Sequence, residues 1–138
     1  MNPAVEIVPV FEDNYSFVLT LPGRDRAIVV DPGDGEKVWR FLEEKGYGLE
    51  AILATHHHFD HVAGIEFLCD KMSVDVYCFK GDLDRVPGAS YGLEDAEEIE
   101  RGGLRFRTLH VPGHTSGHVV YVCGDALLAG DTLFLGGC

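Results

Sequence analysis

A cluster of metal-binding side chains directly follows a short apolar run in the first half of the chain. The run is residues 51–54, and four imidazoles and one carboxylate follow within six residues: His56, His57, His58, Asp60 and His61. Adjacent histidines are costly to bury unpaired or to charge side by side, whereas neutral imidazoles and a carboxylate suit a zinc-like divalent cation. In layered α/β folds, ligand sites concentrate where a strand passes into a helix. The cluster therefore predicts a fold whose strand ends build a metal site.

The spacing of the cluster adds geometry to its composition. In an extended loop, positions 56, 58 and 60 project to one side, and a turn into a following helix brings His61 beside them. A solvated histidine cluster or a chance local enrichment is the alternative explanation. We favour metal binding because the cluster lies at a predicted junction between a strand and a helix.

The chain is acidic and has the size of a single domain. It has 138 residues, 46% of them hydrophobic, and its 23 Asp and Glu against 11 Lys and Arg give a net charge of −12. Such a surface disfavours nucleic acid and anionic membranes as partners. The N-terminus lacks the positive and apolar segments of a secretion signal, and no apolar run is long enough to span a bilayer. We expect one domain over residues 1–138 and a soluble, cytoplasmic protein.

The cysteines carry no disulfide or zinc signature. There are four, none in CxxC spacing: Cys69, Cys78, Cys123 and Cys138. Scattered cysteines in a cytoplasmic chain suit reduced core thiols better than a disulfide framework or a thiolate metal site.

The pattern of apolar runs predicts an α/β (α+β) fold of two packed sheets with outer helices. Residues 4–79 predict the order β-β-β-α-β-α-β, because short apolar runs alternate with two segments of helical spacing. Residues 80–95 are rich in glycine and acidic side chains and predict an irregular surface connection. Residues 98–109 and 118–129 each predict a hairpin. Such a mixture is typical of two packed sheets covered by helices.

Two later loops offer further ligands. His114 lies in a Pro-Gly turn flanked by Thr and Ser, where the backbone is tightly specified, and we predict that it is a ligand. Asp131 ends an apolar strand and either caps a turn or binds a metal. Beside other ligands we favour metal binding, since one carboxylate can bridge two cations. His110 and His118 lie at strand ends and are better interpreted as packing residues or as supports for the ligands.

Three motifs together resemble the metallo-β-lactamase superfamily. They are Thr-His-His-His-Phe-Asp-His at 55–61, Pro-Gly-His-Thr-Ser-Gly-His at 112–118, and Gly-Asp-Thr-Leu-Phe with Gly-Gly-Cys at 130–138. Within it, the triple histidine and the Asp-Asn-Tyr run at 13–15 are most similar to the glyoxalase II family, the hydroxyacylglutathione hydrolases. The Asp-Pro-Gly turn at 31–33 fits the same family. The resemblance implies the αββα sandwich of the superfamily, with two packed mixed sheets and outer helices, incomplete at the C-terminus.

The resemblance also implies which residues hold metal. The family pattern places six ligands around two cations: His56, His58 and His114 on the first, Asp60 and His61 on the second, and Asp131 bridging both. Asp60 also orients the hydroxide between them. The implied cofactors are two divalent metals, zinc first, with iron or manganese as alternatives.

Part of the family pattern lies outside this chain. The second cation of the family takes one more histidine from a loop well downstream of the Gly-Gly-Cys segment, so the second site here lacks a ligand. The residues that bind glutathione begin just past Cys138 in the family and continue into a C-terminal helical domain, which is absent here. An incomplete sheet exposes an edge and an apolar face, so we expect self-association through it.

The function implied by the resemblance is the hydrolysis of glutathione thioesters. The expected reaction converts S-D-lactoylglutathione to D-lactate and glutathione, in methylglyoxal detoxification, through a metal-bridging hydroxide. One alternative is a persulfide dioxygenase-like enzyme with a single iron on His56, His114 and Asp131 and with Asp60 unliganded. Another is a non-catalytic metal-binding fragment or pseudoenzyme, which binds one cation and turns nothing over.

Overall fold

The chain forms two sheets and three α-helices. The computed structural model describes residues 2–11, 14–112 and 115–136. In chain order the elements are β1 (Ala4–Val10), β2 (Asn14–Thr20), β3 (Arg26–Val30), α1 (Gly35–Lys45), β4 (Gly48–Leu53), α2 (Phe59–Val62), α3 (Ile65–Lys71), β5 (Asp75–Phe79), a 3₁₀ turn (Lys80–Asp82), β6 (Tyr91–Leu93), β7 (Glu98–Arg101), β8 (Leu104–His110), β9 (Val119–Cys123), β10 (Ala126–Ala129) and β11 (Thr132–Leu135).

The strands form one mixed sheet and one antiparallel sheet. Sheet A has the order β1-β2-β3-β4-β5-β6, antiparallel from β1 to β3 and parallel from β3 to β6. Sheet B has the order β11-β10-β9-β8-β7 and is antiparallel in all its described pairings. The predicted element order and the packing of two sheets are confirmed. The prediction of two mixed sheets is wrong for sheet B, because hairpins connect its strands and a hairpin makes its two strands antiparallel.

Sheet A is apolar on both faces, which explains its uninterrupted hydrophobic runs. On β3, Val29 packs in the cluster that includes Val38 and Leu42 of α1, whereas Ile28 and Val30 pack against residues of sheet B. A strand buried on both faces loses the polar alternation of a half-exposed strand. Helix α1 begins where the Asp34 side chain accepts a hydrogen bond from the Lys37 amide, a typical N-cap.

The segment 80–95 is more structured than its composition predicts. It contains the 3₁₀ turn and the strand β6, which completes the parallel part of sheet A. Asp82, Val86 and Leu93 are buried in it, whereas Leu83 is exposed. The prediction of a plain surface connection is therefore wrong. The segment is rich in glycine and acidic residues, but a few of its side chains are deeply buried.

The two sheets are joined directly below the histidine cluster. The buried hydroxyl of Tyr121 on β9 donates a hydrogen bond of 2.7 Å to the carbonyl of Ala54, which follows β4. The amide of Val119 donates to the carbonyl of Thr55. These bonds hold the start of the histidine loop against sheet B.

No helix in the described part of the chain is long and apolar enough to cross a membrane.

A polar network joins the sheets around Arg101 on β7. Its guanidinium lies 2.7 Å from Asp75 Oδ2 and 2.9 Å from Glu50 Oε2, and it donates to the Tyr77 hydroxyl at 2.9 Å. The hydrogen bond from Arg101, partly opposed by burial, lowers the pKa of Glu50. Because the network is only partly buried, solvent screens it less than a surface pair but more than a core pair.

We expect Arg101→Ala to lower the free energy of unfolding by about 1–3 kcal/mol, since it leaves two half-buried carboxylates without their partner. Urea denaturation at neutral pH measures the loss. Because the pKa of Glu50 is lowered in the folded chain, its stabilising contribution is present at neutral pH and disappears as the pH falls through that lowered value. The difference between the variant and the original chain should shrink accordingly. Arg105→Ala is the control, because Arg105 is exposed and makes one 3.4 Å contact with Glu100; an equal loss in both variants would contradict the prediction.

Candidate metal centre

The carboxyl ends of β3 and β4 place Asp31 against the start of the histidine loop. The two strands are parallel, with Val30 opposite Leu53, so the residues that follow them are neighbours. Asp31 is completely buried, and its carboxylate accepts hydrogen bonds from the Thr55 amide at 2.8 Å and from the Thr55 hydroxyl at 2.6 Å. Its φ of 53° is uncommon for a residue other than glycine, although aspartate adopts it more readily than most. These bonds fix the backbone from which the histidine loop begins.

The same carboxylate sets the orientation of two imidazoles. The Nδ1 atom of His61 lies 3.1 Å from Asp31 Oδ2, and Nδ1 of His56 lies 2.8 Å from the Thr55 hydroxyl oxygen. Because that hydroxyl donates its proton to Asp31, it accepts the proton of His56 Nδ1. In the neutral form of each ring, these contacts favour the tautomer with the proton on Nδ1, which directs metal binding to Nε2.

The helical turn brings His61 back to the other histidines. Helix α2 begins at Phe59, and His61 and His56 are both buried, with ring centroids 4.3 Å apart. The rings of His56 and His58 are 4.8 Å apart. Two close backbone approaches hold the turn in place, since a Cβ at Gly33 would overlap the Asp60 carbonyl and a Cβ at Gly64 would overlap the Pro32 carbonyl. The structure therefore gathers His56, His58 and His61 at one end of sheet A.

Asp131 meets this group from sheet B. It lies in the turn between β10 and β11, and its Oδ1 atom is 3.1 Å from Nε2 of His61. About half of its side chain is exposed. Two ligand atoms on one cation, each about 2.0–2.2 Å from it, are separated by about this distance. The donor set of imidazole nitrogens and carboxylates thus suits zinc or a similar divalent cation.

Asp60 lies at the edge of the same group. Its Oδ2 atom accepts a hydrogen bond of 2.7 Å from the side-chain amide of Asn14, the first residue of β2. Burial alone would raise the pKa of Asp60, but the bond from Asn14 and the nearby imidazoles of His61 and His56 outweigh it, so the pKa is lowered. The carboxylate is therefore held ionised and oriented.

The carboxylates around His61 favour its protonated form. Burial lowers its pKa, but the hydrogen bond to Asp31 and the charges of Asp31, Asp131 and Asp60 more than offset this, so the pKa is raised. A metal ligand must give up that proton, so a proton and a cation compete for this imidazole.

A second grouping of donors is less suited to a cation. Single ligand atoms of Asp31, His56 and His61 all lie within 4.8 Å of one another. However, the Asp31 carboxylate and the Nδ1 atoms on this side already satisfy one another through Thr55. A cation there would have to displace those hydrogen bonds, so the side of His61 on which Nε2 lies 3.1 Å from Asp131 is better suited to a cation.

The remaining histidines occupy three different positions. His110 stacks on Phe79 with ring centroids 4.0 Å apart, and His118 lies beside His56 at 4.9 Å, so both are placed as packing or supporting residues. His57 points to Asp82, with Nδ1 3.3 Å from Oδ2. The predicted ligand His114 lies outside the described residues, as does Cys138.

Two of the three residues that support the site, Thr55 and Asn14, carry no chemical signal when the sequence is considered without the fold. Asp31, Thr55 and Asn14 were interpreted only as parts of turns and of the family pattern, although each holds a site residue. One signal was available for Asp31, which ends an apolar strand as Asp131 does. A charged residue at the end of a buried strand is a candidate for site construction because its neighbours are other strand ends.

Comparisons with known proteins agree with this architecture. The family model described as the metallo-beta-lactamase superfamily matches residues 10–138. The chain is 48% identical to the hydroxyacylglutathione hydrolase of Alkalilimnicola ehrlichii over 134 residues, and 42% identical to that of Photobacterium profundum over 134 residues. These alignments cover 95% and 97% of this chain but 51% and 52% of the relatives. The chain therefore spans about half the length of the curated relatives it matches.

Two solved structures share the fold. The BLEG-1 B3 metallo-beta-lactamase superposes with a TM-score of 0.78 at 26% identity, covering 87% of this chain and 67% of that one. ETHE1 from Myxococcus xanthus superposes with a TM-score of 0.74 at 23% identity, covering 92% of this chain and 56% of that one. The second likeness concerns the fold alone.

Proposed function

Because the chain belongs to the metallo-beta-lactamase superfamily, we propose that it carries the metal centre of a hydrolase that cleaves glutathione thioesters. The observation that best supports a metal centre is the meeting of His61, on α2 after a strand of sheet A, with Asp131, in a turn of sheet B. Their side-chain atoms are 3.1 Å apart. Relatives at 35–48% identity are named hydroxyacylglutathione hydrolase, which supports a thioester such as S-D-lactoylglutathione as the substrate. Its products would be D-lactate and glutathione.

We assign the ligands in two sets that share Asp131. The first set is His56, His58 and His114, and the second is Asp60 and His61. The closeness of the His56, His58 and His61 rings supports the described part of this assignment. Zinc is the metal that the imidazole and carboxylate donors suit best, with iron or manganese as alternatives.

The residues divide the chemistry as follows. A divalent cation bound here supplies water of low pKa as the nucleophile and polarises the thioester carbonyl. Asn14 orients Asp60, and Asp60 in turn orients the attacking water. Asp31 and Thr55 keep the Nε2 atoms of His61 and His56 directed at the centre. The leaving thiol has a pKa near 8.5, so its thiolate departs without a strong general acid.

Two further expectations accompany this proposal. A cytoplasmic location stays a prediction. Self-association through sheet B also stays a prediction; β11 ends that sheet and exposes Phe134 and Leu135 by more than half. A monomer in sedimentation at micromolar concentration would contradict it.

Metal content and hydrolysis, measured on the same sample, test the proposed function. The purified chain is loaded with zinc, manganese or iron, freed of excess metal and supplied with S-D-lactoylglutathione. Bound metal with turnover above that of an equal concentration of free metal is the expected result, and chelator treatment should abolish it. Metal binding without turnover would support the non-catalytic alternative instead. Oxygen consumption by the iron-loaded chain on glutathione persulfide, without thioester hydrolysis, would support the dioxygenase alternative.

A further inference from the structure

A buried carboxylate outside the metal centre lies between the two loops that carry its ligands. Asp82 ends the 3₁₀ turn after β5, and only 1% of the residue is exposed. An acidic side chain is almost never buried so completely unless it is paired. Its Oδ2 atom lies 3.3 Å from Nδ1 of His57, and its Oδ1 atom lies 3.4 Å from the guanidinium of Arg85.

The first of the two loops is the histidine loop. His57 stands between two proposed ligands, His56 and His58. Its Nδ1 atom faces Asp82, and its ring meets that of His58 edge to face with centroids 5.7 Å apart. A side chain held at this position fixes the backbone on both sides of it. The direction of the flanking imidazoles therefore depends on the contact between His57 and Asp82.

The second loop connects β8 to β9 and carries Gly117. A Cβ at Gly117 would overlap the carboxylate of Asp82, so the carboxylate lies directly against this backbone and a larger residue at 117 would displace it. The proposed ligand His114 is three residues earlier in the same loop. Asp82 thus contacts one loop through an imidazole and the other through close packing.

We propose that Asp82 is a positioning residue that holds the loop of His56 and His58 in register with the backbone at Gly117, in the second loop. This inference rests on the proposed function, because positioning the two loops affects metal binding only if both of them hold the same cation. The contact itself is independent of any metal, since it joins Asp82 to His57, Gly117 and Arg85. Residues that orient metal ligands from outside typically contribute about 10–100-fold to metal affinity.

The central experiment compares Asp82→Asn with the original chain in two measurements. Asparagine keeps the size of the side chain but loses its charge. Hydrogen exchange of the metal-free chain, read by mass spectrometry, should become faster in peptides covering residues 55–61 and 111–118 and stay unchanged in β3 and β9. Zinc affinity, from competition with a chelator, should fall about 10–100-fold. A merely structural role would accelerate exchange throughout the chain instead.

Two further variants separate positioning from other effects. Asp75→Asn also removes one carboxylate beside β5, but at its other end in the Arg101 network, so its zinc affinity should be unchanged. His57→Ala should weaken zinc binding as Asp82→Asn does, and the loss in the double variant should be smaller than the sum of the two single losses, because both variants weaken the contact between His57 and Asp82.

The possible results separate a failure of the positioning role of Asp82 from a failure of the proposed function. Unchanged exchange in both loops, or zinc affinity within twofold of the original chain, would overturn the positioning role. Equal losses in Asp75→Asn and Asp82→Asn would overturn it as well, because they would reflect charge alone. Failure of the original chain to bind zinc would contradict the proposed function, whereas the exchange measurement on metal-free chain would still decide whether Asp82 couples the loops.

Discussion

Replacing Asp131 with alanine is expected to lower the zinc content of the chain and to reduce thioester hydrolysis about 10³-fold. The variant removes the carboxylate whose Oδ1 atom lies 3.1 Å from His61 Nε2, the contact by which sheet B contributes to the centre. A bound divalent cation stabilises the charge of a hydrolytic transition state by several kcal/mol, and a loss of about 4 kcal/mol lowers the rate roughly a thousandfold. Zinc content by elemental analysis and initial rates on S-D-lactoylglutathione measure the two effects.

A matched control stands at the opposite end of the same strand. Asp125 precedes β10 as Asp131 follows it, so Asp125→Ala removes an equal charge without touching the histidines. Its zinc content and rate should equal those of the original chain. Full zinc binding and full activity in Asp131→Ala would contradict the assignment of Asp131 as the shared ligand.

Replacing Asp31 with asparagine is expected to lower the free energy of unfolding of the metal-free chain by about 2–4 kcal/mol. The buried carboxylate accepts bonds from the Thr55 amide, the Thr55 hydroxyl and His61 Nδ1. An asparagine can accept at one atom only, so its amide group faces donors and leaves buried partners unsatisfied. Asparagine also tolerates the positive φ at this position, so the loss reports the hydrogen bonds and charge rather than backbone strain.

Urea denaturation in the presence of a chelator measures this loss. Asp34→Asn is the control, because Asp34 lies three residues further on and asparagine caps a helix as well as aspartate does. The control should lie within about 0.5 kcal/mol of the original chain. If Asp31→Asn were equally stable, the carboxylate would not be the centre of the network that orients His56 and His61.

The grouping of His56, His58 and His61 was predictable because its signal is local. Residues 55–61 follow an apolar strand, and the spacing of their imidazoles in an extended segment followed by one helical turn is enough to bring them together. The structure places His56, His58 and His61 as that spacing requires. The meeting of Asp131 with His61 was inferred from the family pattern and depends on the packing of sheet B on sheet A.

The supports of the site were not predictable in the same way. Asp82 lies in a segment whose composition indicates a surface loop, yet its carboxylate is buried against His57 and Gly117, which are 25 and 35 residues away in sequence. Nothing in the residues around Asp82 distinguishes it from its exposed acidic neighbours. Asp82 is buried because loops from other parts of the chain pack over it, and its own neighbours in sequence carry no sign of those loops.

The sequence by itself determined the kind of centre and the kind of fold. The histidine spacing within one loop indicated a divalent cation. Apolar runs alternating with helical segments indicated a mixed sheet, and the later paired runs indicated hairpins. These signals could be interpreted because each involves residues close together in the chain. Only the tertiary structure decided how the ligands are held. Asp31 and Thr55 orient the rings of His56 and His61, and Asp82 contacts both His57 and Gly117. These contacts form only when the carboxyl ends of separate strands come together. Such contacts join residues that are distant in the sequence, so no local sequence pattern predicts them.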